Sequence, residues 1–360
     1  MPSTRLLLSI LLVLVVAAGC AGSQPAGERA DRLERARAYS AETSGDALLV
    51  WVDGALVLED YPHGYDPAEP HILAEASTLL TNLAVLAAVD DGALALDERA
   101  AATLTAWQND SLKAAITIRQ LLQMTSGLDA DRRSGDLTVD DALAAPMAHA
   151  PGAGFRFGPA PVQVLGAILR RTSDDSYLAR ILRALEIPGA RWLAVSASAE
   201  ANAARGAALT ARRLDGAHLT PREWGRIGQV LLQDGRWEGE VLIDDLAPLT
   251  QPSDVQPAYG MGVWRNAPMD SVGTDVFNQL PESLMLPRAG DRFIYDGAPT
   301  SLYMAAGRYN QRLYVIPSKQ MVVVRMGRAN LTWSDAAFLA RLLNGRAPEP
   351  MEAGEPSVGE

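Results

Sequence analysis

Lysine is nearly absent: of 360 residues only Lys113 and Lys319 are lysine. Three positions before them stand Asp110 and Ile316, so the chain holds no Ser-x-x-Lys. That excludes catalysis by a serine whose proton is taken by a lysine one helical turn away. Cysteine is rarer still. Cys20 stands alone, so no intramolecular disulfide can form. The four histidines, His63, His71, His149 and His218, have no metal-ligand spacing, so neither metal nor cofactor is expected. There is no Gly-x-Ser-x-Gly elbow and no phosphate-binding loop. A basic surplus is missing too: 32 Lys and Arg against 43 Asp and Glu give a net charge of −11. This argues against nucleic acid, which needs a basic face, and against adsorption to anionic lipid. Trp51, Trp107, Trp192, Trp224, Trp237, Trp264 and Trp333 are too scattered to argue for a sugar platform; core packing explains them more simply.

What is present is a globular composition, 48% apolar and 21% charged. It is preceded by a targeting segment. Arg5 supplies the positive end, and the apolar run at 6–18 is of signal-peptide length, short for a bilayer span. Small residues lead directly into Cys20, resembling a bacterial lipobox, with Ala17 where leucine is commoner. The expectation is a signal peptide over 1–19, lipidation of Cys20 as a membrane anchor, and a tether with a helix over 20–45. A free thiol near an ordinary cleavage site is the plainer alternative. Several acyl chains on one cysteine would hold firmly where one binds reversibly. Ala21, rather than aspartate, follows the cysteine. By resemblance to lipoprotein sorting rules, that points to the periplasmic face of the outer membrane in a Gram-negative cell.

Periodicity and turn chemistry order the rest. Residues 28–39 read as an amphipathic helix. Asp53-Gly54 between apolar runs at 47–52 and 55–61 predicts a hairpin. A mostly apolar helix over 79–89, apolar on more than one face and closed by Asp90-Asp91-Gly92, reads as buried and central. Further helices are expected over 110–126, 161–171, 176–185 and 221–232, the last led by Thr220-Pro221. Residues 266–300 read as a long loop. A second hairpin joins 313–316 to 321–326 across Pro317-Ser318-Lys319, and a terminal helix covers 334–343. The acidic tail at 346–360 reads as disordered. This order predicts an α+β fold, an antiparallel sheet built from both ends of the chain and flanked by helices. The main domain is expected over 46–345, with a helical subdomain inserted at roughly 95–260.

Six stretches carry a resemblance. They are Ala47-Leu-Leu-Val with Asp53-Gly54, Ala88-Val-Asp-Asp-Gly-Ala-Leu-Ala-Leu-Asp97, and Ile116-Thr-Ile-Arg-Gln-Leu-Leu-Gln-Met-Thr-Ser-Gly-Leu128. The others are Pro151-Gly152 with Phe155-Arg-Phe-Gly-Pro159, Leu219-Thr-Pro-Arg-Glu-Trp-Gly-Arg-Ile-Gly228, and Ala306-Gly307 with Gln311-Arg-Leu-Tyr-Val-Ile-Pro-Ser318. In this order they resemble the β-lactamase-related serine hydrolases, which include penicillin-binding-protein-like esterases and class C β-lactamases. The resemblance covers roughly residues 40–345 and implies a β-lactamase/transpeptidase-like fold.

The resemblance also says where the chemistry should be. Relatives carry Ser-x-x-Lys at the start of the central helix, with Asp-Gly or Glu-Gly about fourteen residues after the lysine. Counting back from Gly92 places Thr78 at the lysine and Glu75 at the serine. A second motif supplies a tyrosine; Phe157 stands there, without a hydroxyl to relay a proton. A third, with a basic residue on an inner strand, falls on Ala305-Ala306-Gly307 and lacks its base. The resemblance therefore implies a degenerate site. Glu75, Thr78, Phe157, Ala305 and Gly307 would line a binding cleft without catalytic residues. The expectation is a pseudoenzyme that binds a peptide, a cell-wall fragment or an envelope protein. The alternative is an active esterase, amidase or β-lactamase with a non-standard nucleophile; Ser77 is the fallback. Ser77 lies about 200° around a helix from Glu75, so it should point off the cleft and help start the helix with Thr78. For Glu75 the plain reading is a carboxylate complementing the helix dipole. For Phe157 it is a packed aromatic.

Overall fold

The computed structural model describes residues 26–129, 137–173, 176–193, 213, 215–268 and 294–345. The expected leader, Cys20, the acidic tail and most of the 266–300 loop lie outside the described residues.

The first hairpin forms around Asp53-Gly54. Strand β1 (Gly45–Val52) turns into β2 (Ala55–Asp60), with Asp53 at φ 51° and Gly54 at φ 77°. That left-handed pair is what Asp-Gly accommodates most readily. Short strands β3 (His71–Ile72), β4 (Arg191–Trp192) and β5 (Ala217–Leu219) make a small sheet in the order β3-β5-β4. Strands β6 (Arg236–Trp237) and β7 (Glu240–Val241) pair as a ribbon. The chain then adds β8 (Trp264–Arg265), β9 (Tyr303–Gly307), β10 (Gln311–Ile316) and β11 (Met321–Gly327). The main antiparallel sheet runs β2-β1-β11-β10-β9-β8, so the two ends of the chain meet at its centre, Leu49 opposite Val324.

Strand alternation divides the interior. Leu49, Leu313, Val315, Val322 and Val324 face one cluster, while Leu48, Val50, Tyr314, Ile316 and Val323 face another. The second face is covered by α1 (Ala26–Glu42) and the terminal helix. The first face receives the central helix α2 (Thr78–Asp90), in which every residue from 78 to 88 is buried. Burying Leu79, Leu80, Leu83 and Leu86 contributes roughly 1.5–3 kcal/mol each.

The helix expected over 110–126 is largely absent. Residues 113–115 form a 3-10 turn, and α3 occupies only Ile118–Leu122. Extended Thr117 starts it through a capping box with Gln120, and Met124 turns to φ 59° just after it. Helices α4 (Val139–Ala144), α5 (Pro159–Ser173) and α6 (Ser176–Ala184) follow. Helix α7 (Pro221–Leu232) begins as its sequence predicts, with Thr220 and Glu223 in a capping box and proline in the first turn. Helix α8 (Asp335–Leu339) runs into a π-helical turn at Ala340–Asn344. Among the described residues, no helix is long and apolar enough to cross a membrane.

Candidate functional site

A short 3-10 turn (Ala74–Ser77) leads into α2 and carries Glu75. Its backbone is strained: buried Ala74 takes φ 50°, a conformation that L-residues rarely adopt. The turn is held from both sides. Leu73 N–H donates to the Ala217 carbonyl at 2.8 Å, on β5. On the other side β9 ends at Gly307. A Cβ there would lie 2.3 Å from the Leu73 carbonyl oxygen and 3.0 Å from the Glu75 and Ala76 amide nitrogens. Only glycine lets the strand end approach the turn this closely.

That approach delivers Arg308 to Glu75. The Arg308 backbone N–H donates to Glu75 Oε2 at 2.7 Å. Arg308 Nε stands 2.7 Å from Glu75 Oε1, an ion pair whose N–H is not directed for a hydrogen bond. On its far side Arg308 Nη2 donates to Asp215 Oδ2 at 2.7 Å. The Glu75 side chain is 11% exposed and that of Arg308 42%. Burial pushes the Glu75 carboxyl up from its ordinary value; the Arg308 charge and backbone N–H groups of Arg308 and Glu75 itself oppose that push. The carboxylate is thus chelated by one residue through main chain and side chain. Its role is a cross-element tie to β9, which is more than the helix-dipole partner that its position suggests.

The other expected residues are placed as follows. Thr78 opens α2 and is 2% exposed. Ala305 is buried in the same apolar cluster as Leu73, Ala76 and Leu79. Phe157 packs against Tyr259 and Trp264, each with ring centroids 5.9 Å away, and Phe155 joins the same aromatic group. Its plain reading as a packed aromatic matches this arrangement. Ser77 is fully buried. Its Oγ donates to the Ala74 carbonyl at 2.6 Å and accepts from Ala217 N–H at 3.0 Å. Ser77 is helical and makes no side-chain cap, so it staples the turn to β5 and does not cap α2. Arg308 and Asp215 escaped the sequence reading. Arg308 directly follows the third motif position, and that adjacency was the available signal.

Chemically, one backbone N–H and one guanidinium converge on a single carboxylate. Such paired donors can stabilise the oxyanion of an acyl-transfer reaction. Here a side chain of the protein itself, the Glu75 carboxylate, occupies these donors. Among the described residues, no group of three or more His, Cys, Asp or Glu could hold a metal ion.

The beta-lactamase family model matches residues 30–344. The chain belongs to the beta-lactamase family. No curated protein matches it. Among solved structures, a penicillin-binding protein homologue from Caulobacter crescentus superposes with a TM-score of 0.62 at 18% identity, covering 89% of this chain and 97% of that one. EstCE1, a hydrolase with promiscuous acyltransferase activity, gives 0.62 at 14% identity, with 88% and 97% covered. A penicillin-binding protein from Bacillus halodurans gives 0.55 at 16% identity, with 83% and 95% covered. At these identities the likeness is one of fold. It agrees with the β-lactamase/transpeptidase-like architecture that the six sequence stretches imply. Within the family, Glu75, Thr78 and Phe157 stand where the sequence resemblance places serine, lysine and tyrosine.

Proposed function

We propose that this beta-lactamase family member is a pseudoenzyme, anchored in the cell envelope by lipid on Cys20. It binds a peptide, a cell-wall fragment or an envelope protein without forming an acyl-enzyme. One observation carries the reading: Glu75, which the sequence resemblance puts at the nucleophile position, is a carboxylate already engaged by the Arg308 backbone N–H and guanidinium. Phe157, packed against Tyr259 and Trp264, supports it, because a phenyl ring cannot relay a proton. Losing one member of a catalytic unit costs about 10⁴- to 10⁶-fold in turnover, and such losses do not simply add.

The test is incubation of the unaltered protein with a fluorescent penicillin and a fluorophosphonate, read by intact mass. No adduct is expected. A stoichiometric adduct on Ser77 or another site residue would overturn the reading in favour of a hydrolase with a non-standard nucleophile. Thermal-shift screening against muropeptides then addresses the ligand. The anchor has its own test, incorporation of a labelled fatty acid that Cys20→Ala should abolish.

A further inference from the structure

The peptide group joining Gly307 to Arg308 is held at both ends. Its N–H donates to Glu75 Oε2 at 2.7 Å. Its carbonyl oxygen, on Gly307, accepts from Arg312 Nη1 at 3.0 Å. A trans peptide is planar, with its C=O and N–H pointing opposite ways, so fixing one end aims the other. Arg312 is itself held by several partners. It is fully buried, and its Nε and Nη2 donate to the two carboxylate oxygens of Asp335 at 2.7 and 3.1 Å. Its Nη1 also donates to the Gln311 carbonyl at 2.9 Å, and Tyr314 donates its hydroxyl proton to Asp335. A cation on the carbonyl side polarises the peptide and strengthens its N–H as a donor. The donor is therefore built into the sheet, and its aim does not depend on Glu75.

We propose that the Glu75 side chain is the resident internal ligand of a preformed carboxylate site. The site consists of the Arg308 backbone N–H and the Arg308 guanidinium, with Arg312 as the positioning residue behind them. A free monocarboxylate takes the site once the Glu75 side chain is cut back. In the unaltered protein the tethered carboxylate outcompetes free ones, because its effective concentration exceeds any in solution. Two features make the site more than a chance ion pair. Gly307 leaves out the Cβ that would hold β9 off the turn, and Ala74 holds φ 50° to present residue 75.

The inference concerns the site of the proposed pseudoenzyme and rests on the reading that Glu75 replaces a nucleophile. The acylation assay on the unaltered protein reports on that reading, and a carboxylate titration of a truncated variant reports on this one. Glu75→Ala is titrated with acetate, with chloride at matched ionic strength as the control. The readouts are the Arg308 backbone amide resonance and the melting temperature. A saturable, acetate-specific downfield shift of that amide is expected, with a rise in melting temperature. The unaltered protein and Glu75→Gln, whose side chain still fills the site, should show neither. In the Glu75→Ala background, Arg312→Met should weaken acetate binding about tenfold, the equivalent of one charge-assisted hydrogen bond. Arg312→Lys, which keeps a donor for the Gly307 carbonyl, should weaken it less. Absence of a saturable Arg308 amide shift in Glu75→Ala overturns the site, and that measurement decides even if the Arg312 variants do not fold. A folded Arg312→Met variant that binds acetate undiminished overturns the positioning role.

Discussion

Replacing Ser77 by alanine separates a structural serine from a catalytic one. The Ser77 hydroxyl makes two hydrogen bonds inside a fully buried space, to the Ala74 carbonyl and from the Ala217 N–H. Alanine fits the space but leaves a backbone donor and a backbone acceptor without that partner. Each buried group so stranded costs about 1–3 kcal/mol, of which a nearby rearrangement can recover part. A loss of roughly 2–4 kcal/mol for Ser77→Ala follows. For a domain somewhat smaller than this one, about 1 kcal/mol moves the melting temperature by 2–4 °C, so a fall of roughly 4–16 °C is expected as an upper bound. The assay is urea unfolding with tryptophan fluorescence, paired with fluorophosphonate labelling of both proteins. Labelling should be equally absent in each. If Ser77→Ala is as stable as its parent within about 0.5 kcal/mol, the ordinary surface range, the hydroxyl does not hold the turn. If labelling of the parent vanishes with Ser77, the serine is a nucleophile and the stapling argument is wrong.

Asp335→Ala should be harsher, at about 3–5 kcal/mol, because it leaves the fully buried Arg312 without its carboxylate. Chemical denaturation measures it, and a loss under about 1 kcal/mol would contradict the described pairing. Gly307→Ala forces a methyl to within 2.3 Å of the Leu73 carbonyl oxygen. It should cost roughly 1–3 kcal/mol through displacement of β9, and a neutral melt would refute the close approach. Glu75→Gln tests the pH dependence. The folded carboxyl is raised above its ordinary value of 4.5, so between that value and the folded pKa the native state holds the extra proton. Glu75 therefore makes stability fall as pH rises through that window, and the glutamine variant should lack this fall. Parallel unfolding profiles for the two proteins across pH 4–8 would sink the assignment.

Much of the fold is legible locally. Asp53-Gly54 writes its own turn, and Thr220-Pro221 with Glu223 writes a helix start, because each feature depends only on neighbours in sequence. The 113–123 stretch misleads because Thr117 and Met124, rather than apolar spacing, bound its helix. Strands β3, β4, β5 and β8 are two or three residues long, too short to show a period, and exist only through partners distant in sequence. At the site, the sequence shows which groups are missing but not what replaces them. The link from Glu75 to Arg308 spans 233 positions and arises from a strand end brought against a turn. Arg312 is less legible still, since nothing local distinguishes a buried arginine from the exposed ones.

The placement of β11 between β1 and β10 has a consequence in time. Val52 pairs with Met321, so the first strand made must wait for the last. At ordinary rates of synthesis that interval is on the order of tens of seconds. Throughout it the apolar edge of β1, with Leu48, Leu49 and Val50, has only its hairpin partner. Such an edge invites pairing with another chain, and long-range closure of this kind is slow even after synthesis ends. The nascent chain thus remains unclosed, and threadable through a narrow passage, until its final strand arrives.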